Sequence, residues 1–75
     1  MQPSEELSAN DRPTPRQMQV LRLLCEGQTT NEVAARLGIS FKTAASHRSA
    51  LLEKAHVQNT VLLLRWALKN GYVTL

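Results

Sequence analysis

From Lys42 to Ser49 the sequence reads "KTAASHRS". Two cations (Lys42, Arg48), one histidine (His47) and three hydroxyls (Thr43, Ser46, Ser49) surround two alanines. An enzyme would be expected to show a nucleophile beside a base, a carboxylate pair or a Gly-rich phosphate loop, and the sequence shows none of these. His47 and His56 have no carboxylate pair near them in sequence, so neither catalysis nor metal ligation is expected. No catalytic residue, metal or cofactor is therefore assigned, and the chain is not expected to be an enzyme. The chemistry left is non-covalent: cations for phosphates, hydroxyls for base edges, methyl groups for thymine.

That chemistry needs a helix to carry it. Ser40 is an N-cap residue, so the run forms the first turns of a helix from Phe41 to about Ala55. Successive residues turn by about 100°. Ala44, Leu51 and Ala55 then share a core face, with His47 and Lys54 on one flank and Arg48 on the other. Lys42, Ala45, Ser46, Ser49 and Glu53 point the opposite way. A helix whose outward face is this slim suits the major groove, about 12 Å wide against a helix of about 10–12 Å. Ser46 and Ser49 would meet base edges, and Ala45 would press on a thymine methyl. Lys42, Thr43, His47 and Arg48 would meet phosphates. Close packing of the same small residues against another protein helix is the competing reading.

Three more helices must position this one. "TPRQ" sets Thr14 as N-cap, Pro15 at the first helical position and Gln17 as the closing residue of a capping box. Met18, Leu21, Leu24 and Cys25 follow at helical spacing, widened by Val20 and Leu23, and Gly27 ends the helix. "TTNEVAARLG" repeats the pattern, with Thr29 and Glu32 as the box, Val33, Ala34 and Leu37 as the apolar face, and Gly38 as the stop. The N-terminal end at Thr29, Thr30 and Asn31 would offer backbone N–H groups to a further phosphate. Only Gly38, Ile39 and Ser40 then separate the second helix from the third, so the two cross steeply as a helix-turn-helix. Asn59 caps a fourth helix that runs to about Asn70, with Gly71 beyond it. No segment alternates long enough to be a strand. The expected fold is all-α, a four-helix bundle containing a helix-turn-helix over residues 14–75, behind a linker or tail at residues 1–13.

The totals agree with a binding module. The 75 residues make one small domain, 43% hydrophobic. Residues 1–13 hold one arginine against three acids, a net −2, whereas residues 14–75 hold eight cations against three glutamates, a net +5. A basic body behind an acidic tail suits a polyanionic partner. One cysteine excludes an internal disulfide and reads as a small buried side chain. No apolar run approaches the ~20 residues that span a bilayer, and residues 1–12 lack the apolar segment of a signal peptide. An intracellular, reducing, cytoplasmic setting is expected, with no membrane partner.

At these residues the chain resembles the DNA-binding domain of the LuxR/FixJ-type (response-regulator) transcription regulators. That family runs TPRE…VLxLLAxGxSNKEIAxxLGISxxTVKxHxxxIxxKLxV. The corresponding stretch here is "TPRQMQVLRLLCEGQTTNEVAARLGISFKTAASHRSALLEKAHV", and the match extends over about residues 14–73. Spacing, caps, turn and the H-x-x-x-L element coincide together. The resemblance implies a four-helix domain that binds double-stranded DNA sequence-specifically, its third helix in the major groove and its fourth used for dimerisation. It also implies a receiver or sensor domain upstream of Met1. Thr43 and His47 match family positions associated with backbone contact or helix placement, and Lys54 matches the lysine near the helix end. Ala44 stands in place of the usual valine, and Ala45 in place of a frequent DNA-contacting lysine, with Lys42 and Arg48 as compensating cations. Leu62 occupies a commonly acidic position. Sigma-factor region 4 shares the grammar but lacks a following helix like "LLLRWALKNGY". The alternative function is a protein-interaction module of the same fold with lost or weak DNA affinity, and Ala45 is its motive.

The fourth helix, "TVLLLRWALKN", is apolar nearly all round. Leu64, Ala67 and Leu68, with Val61 or Leu63, would cover the core. Leu62 and Trp66, an i, i+4 pair, would be left on a side the core does not need, as a homodimerisation patch.

Overall fold

The structure is a computed structural model and describes residues 12–74. Four helices follow one another: α1, Pro15–Cys25; α2, Thr30–Leu37; α3, Phe41–Ala55; and α4, Thr60–Lys69. No strand occurs among the described residues, so the all-α class and the helix-turn-helix stand as expected. The expected tail at residues 1–13 lies outside the described residues apart from Arg12 and Pro13.

Each helix starts where a side chain satisfies its free backbone N–H groups. The Thr14 hydroxyl accepts from the Gln17 N–H at 3.2 Å, and Gln17 Oε1 accepts from the Thr14 N–H at 3.0 Å. Thr29 and Glu32 reproduce this box at 3.2 and 2.8 Å. The Ser40 hydroxyl accepts from the Thr43 N–H at 3.0 Å, and Asn59 Oδ1 from the Leu62 N–H at 2.9 Å.

The helix ends set the crossings. Gly38 closes α2 at φ 67°, and the Ile39 N–H donates to the Ala34 carbonyl at 3.0 Å. Only a residue tolerant of that left-handed φ lets the chain leave α2 and re-enter a helix within three residues. At the end of α3 the same role falls to His56, at φ 57° and ψ 43°, the one non-glycine residue with positive φ among those described. A side chain in that region costs about 1–2 kcal/mol, part of which glycine returns through its extra freedom when unfolded. His56→Gly should therefore raise the unfolding free energy by about 1 kcal/mol in urea titration; an unchanged or lower midpoint would show that His56 is not strained.

The core takes residues from all four helices. Val20, Leu21 and Leu24 of α1 meet Val33 and Ala34 of α2, Ala44, Leu51 and Ala55 of α3, and Leu63 and Ala67 of α4. Ala44, where the family pattern has valine, is fully buried, so a small side chain there brings α3 close to its neighbours. Ile39 packs on this core from the turn.

On α4 the expectation needs two corrections. Leu63 and Ala67 form the buried stripe, Leu64 borders it, and Val61 and Leu68 face out at 68% and 37% exposure. Helical spacing alone could not choose among near-continuous leucines, because both Leu63 and Leu64 lie one turn before Ala67. Trp66 is also not clear of the core. It is half-buried and packs against it. After Gly71, at φ 76°, the chain turns back, and the Tyr72 N–H donates to the Ala67 carbonyl at 2.9 Å. The Tyr72 ring then lies 5.1 Å from that of Trp66, tilted by 39°. Trp66 thus belongs to an aromatic closure of the bundle's end.

Candidate nucleic-acid interface

α3 presents a polar face between the helix-turn-helix turn and its middle. Lys42, Thr43, Ser46 and Ser49 are exposed there, and Ala45 is half-exposed beside them. Glu53 closes this face toward the C-terminal end. Ala44, one residue from Ala45, is fully buried, so the alternation of core and outward positions fixes the rotation of the helix. Ser40 donates its hydroxyl hydrogen to Thr43 Oγ1 at 2.9 Å. That pairing orients the Thr43 hydroxyl and leaves its hydrogen for an outside acceptor.

The flanking residues are engaged inside the protein. Arg48 is half-buried, and its Nε donates to Thr60 Oγ1 at 3.0 Å. One edge of the guanidinium thus ties α3 to the first residue of α4, and its remaining donors are left for other partners. His47 is half-buried on the opposite flank. Lys54, which the sequence reading placed only on a flank, is a clamp. Its Nζ donates to the Arg12 carbonyl at 2.7 Å and to Gln17 Oε1 at 2.9 Å. Gln17 is 8% exposed, and the same oxygen also serves the Thr14 cap. Lys54 therefore holds the end of α3 against the start of α1.

At the start of α2, Thr29 and Asn31 are exposed and Thr30 is half-buried. The Thr29–Glu32 box consumes the Glu32 N–H and sets the Glu32 carboxylate on the Thr29 N–H. The Thr30 and Asn31 N–H groups remain without intrahelical carbonyl partners.

Elsewhere the surface offers little chemistry. A cavity of about 380 Å³ lies between the end of α1 and the segment after α4, lined in part by Arg22, Cys25, Glu26 and Tyr72. Burial, with the Glu26 charge adding to it, pushes the Cys25 thiol above its ordinary range. The thiol is therefore protonated near neutrality and a poor nucleophile. Among the described residues no group of three His, Cys, Asp or Glu side chains could hold a metal ion. None of the described helices is long and apolar enough to cross a membrane.

Residues 13–67 match the bacterial regulatory proteins of the luxR family. The transcriptional regulatory protein MctR of Rhizobium johnstonii is 38% identical over 65 residues, covering 87% of this chain and 30% of MctR. The transcriptional regulatory protein UhpA of Escherichia coli is 46% identical over 55 residues, 73% of this chain and 28% of UhpA. The uncharacterized response regulatory protein YgeK of E. coli is 32% identical over 72 residues, 96% of this chain and 49% of YgeK. No solved structure matches the chain significantly. The chain belongs to the luxR family of bacterial regulatory proteins, and its helix-turn-helix is a DNA-binding domain of that family rather than an enzyme. It spans less than half the length of each of these relatives.

Proposed function

We propose that the domain binds double-stranded DNA with α3 in the major groove, and that it reads sequence there for a transcription regulator. The observation that carries this reading is the outward face of α3. Lys42, Ser46 and Ser49 are exposed around a half-exposed Ala45, so nothing bulky blocks the middle of the face. Ser46 and Ser49 contact base edges, and Ala45 contacts a thymine methyl. Lys42 and Thr43 contact phosphates on one side. Thr29, Thr30 and Asn31 contribute the end of α2. Arg48 and His47 reach the backbone only from the edges of the face, and Arg48 also positions α4 through Thr60.

Two copies pair through α4. The exposed apolar positions on this helix, Val61 at 68%, Leu62 at 38% and Leu68 at 37%, support that pairing. On a helical wheel Arg65 and Lys69 separate Val61 and Leu68 from Leu62. The more exposed Val61–Leu68 side is the better contact. The extra length of the relatives, and the response-regulator name of YgeK, support a receiver or sensor domain ahead of this one in the intact regulator.

Lys42 gives the test. It is exposed at the mouth of the face. Lys42→Ala should weaken binding to every duplex and reduce the slope of log affinity against log salt by about 0.9, the value of one phosphate contact. An unchanged slope would remove this end of α3 from the interface.

A further inference from the structure

Phe41 is the first residue of α3 and is 54% exposed. A large hydrophobe near a helix start usually has a local duty: the residue before the cap packs on the fourth helical position. Here Ile39 and Ala44 hold those two places, and both pack in or on the core. Phe41 stands outside that pair. Phenylalanine is also a middling helix former, so neither capping nor propensity accounts for it at this position. Its neighbours in space are set by the helix. Ala45 lies one turn on, half-exposed, and the half-buried Arg48 lies two turns on. The phenyl group is therefore an apolar edge of the outward face on the Ala45 side, at the end of the helix that enters the groove first.

We propose that Phe41 determines specificity by packing on the C5-methyl group of a thymine in the major groove. The proposal rests on α3 being the groove helix. Of the four base pairs only those with thymine carry an apolar group on the major-groove edge, and phenylalanine is one of the side chains suited to meet it. Phe41 and Ala45 are separated by about 6 Å along the helix axis, roughly two base-pair steps, so the pair would favour two nearby thymines.

The test uses duplexes that the 75-residue chain itself selects from a randomised pool. Each thymine in the selected site is replaced in turn by deoxyuridine, which removes only the methyl group. At one position the wild-type chain should lose about fourfold in affinity, the worth of one buried methyl-sized group. Phe41→Ala should bind the thymine duplex more weakly and show no further loss with deoxyuridine at that position. Phe41→Leu, still apolar, should keep part of the methyl dependence. Thermal melts of both variants should match the wild type, because the side chain is exposed. If deoxyuridine affects wild type and Phe41→Ala equally at every position, Phe41 does not read a methyl group and the inference fails alone. If the wild-type chain selects no duplex, the groove reading and this inference fail together.

Discussion

Leu51→Ala should lower the unfolding free energy by about 3 kcal/mol. Leu51 is fully buried in α3, within the cluster to which all four helices contribute. Truncating a buried leucine loses its transfer energy and leaves a cavity, at about 2–5 kcal/mol in well-packed sites. A domain of this size holds only about 4–11 kcal/mol in total. The variant should therefore lose a large part of its stability, and its urea midpoint should fall without a change of slope. Ser46→Ala, on the outward face of the same helix, should stay within about 0.5 kcal/mol. The functional consequence is asymmetric. Leu51→Ala should weaken DNA binding only through the folded fraction, whereas Ser46→Ala should leave folding intact and alter binding directly. A loss under 1 kcal/mol for Leu51→Ala would mean that α3 is not anchored through this residue.

The second large effect concerns α4. Val61→Glu together with Leu68→Glu should leave the helical circular dichroism signal unchanged, because both side chains face outward. The double variant should still bind a single half-site. It should lose the extra affinity for two half-sites spaced one DNA turn apart, about 34–36 Å. That coupling is worth roughly 5- to 150-fold at the usual strength of linked sites. Two like-charged glutamates facing their copies across a two-fold axis supply the repulsion. Leu62→Glu alone should have a smaller effect, because Arg65 and Lys69 separate Leu62 from the Val61–Leu68 side. Persisting cooperativity in the double variant, with full loss in Leu62→Glu, would move the contact to the Leu62 side. Persistence in both would remove α4 from pairing.

The features legible in the sequence were the ones written locally. Thr14, Thr29, Ser40 and Asn59 each cap within three residues, so reading a short window was enough to find four helix starts. Gly38 announced the turn because few residues tolerate its φ. The alternation of buried Ala44 with outward Lys42, Ser46 and Ser49 followed from helical period. What was hidden depends on residues distant in sequence or on choices among equals. The Lys54–Gln17 bond joins residues 37 apart, and nothing near either one signals it. Trp66 looked free because its cover, Tyr72, arrives only after the chain turns at Gly71. The run of leucines in α4 left the buried stripe undecided, because Ala67 lies one turn from both Leu63 and Leu64. Arg48 looked like a free cation until Thr60 came within hydrogen-bond distance.

The central claim is that the chain recognises duplex DNA through α3, and selection from a randomised duplex pool tests it most directly. The wild-type chain should enrich a common short motif and bind it with an affinity that falls linearly in log salt. Repeating the selection with Ser49→Ala should change the preferred base at one position, worth about 1–3 kcal/mol of discrimination, and leave the rest of the motif intact. A pool that returns no motif, or a motif that Ser49→Ala leaves untouched, would contradict it.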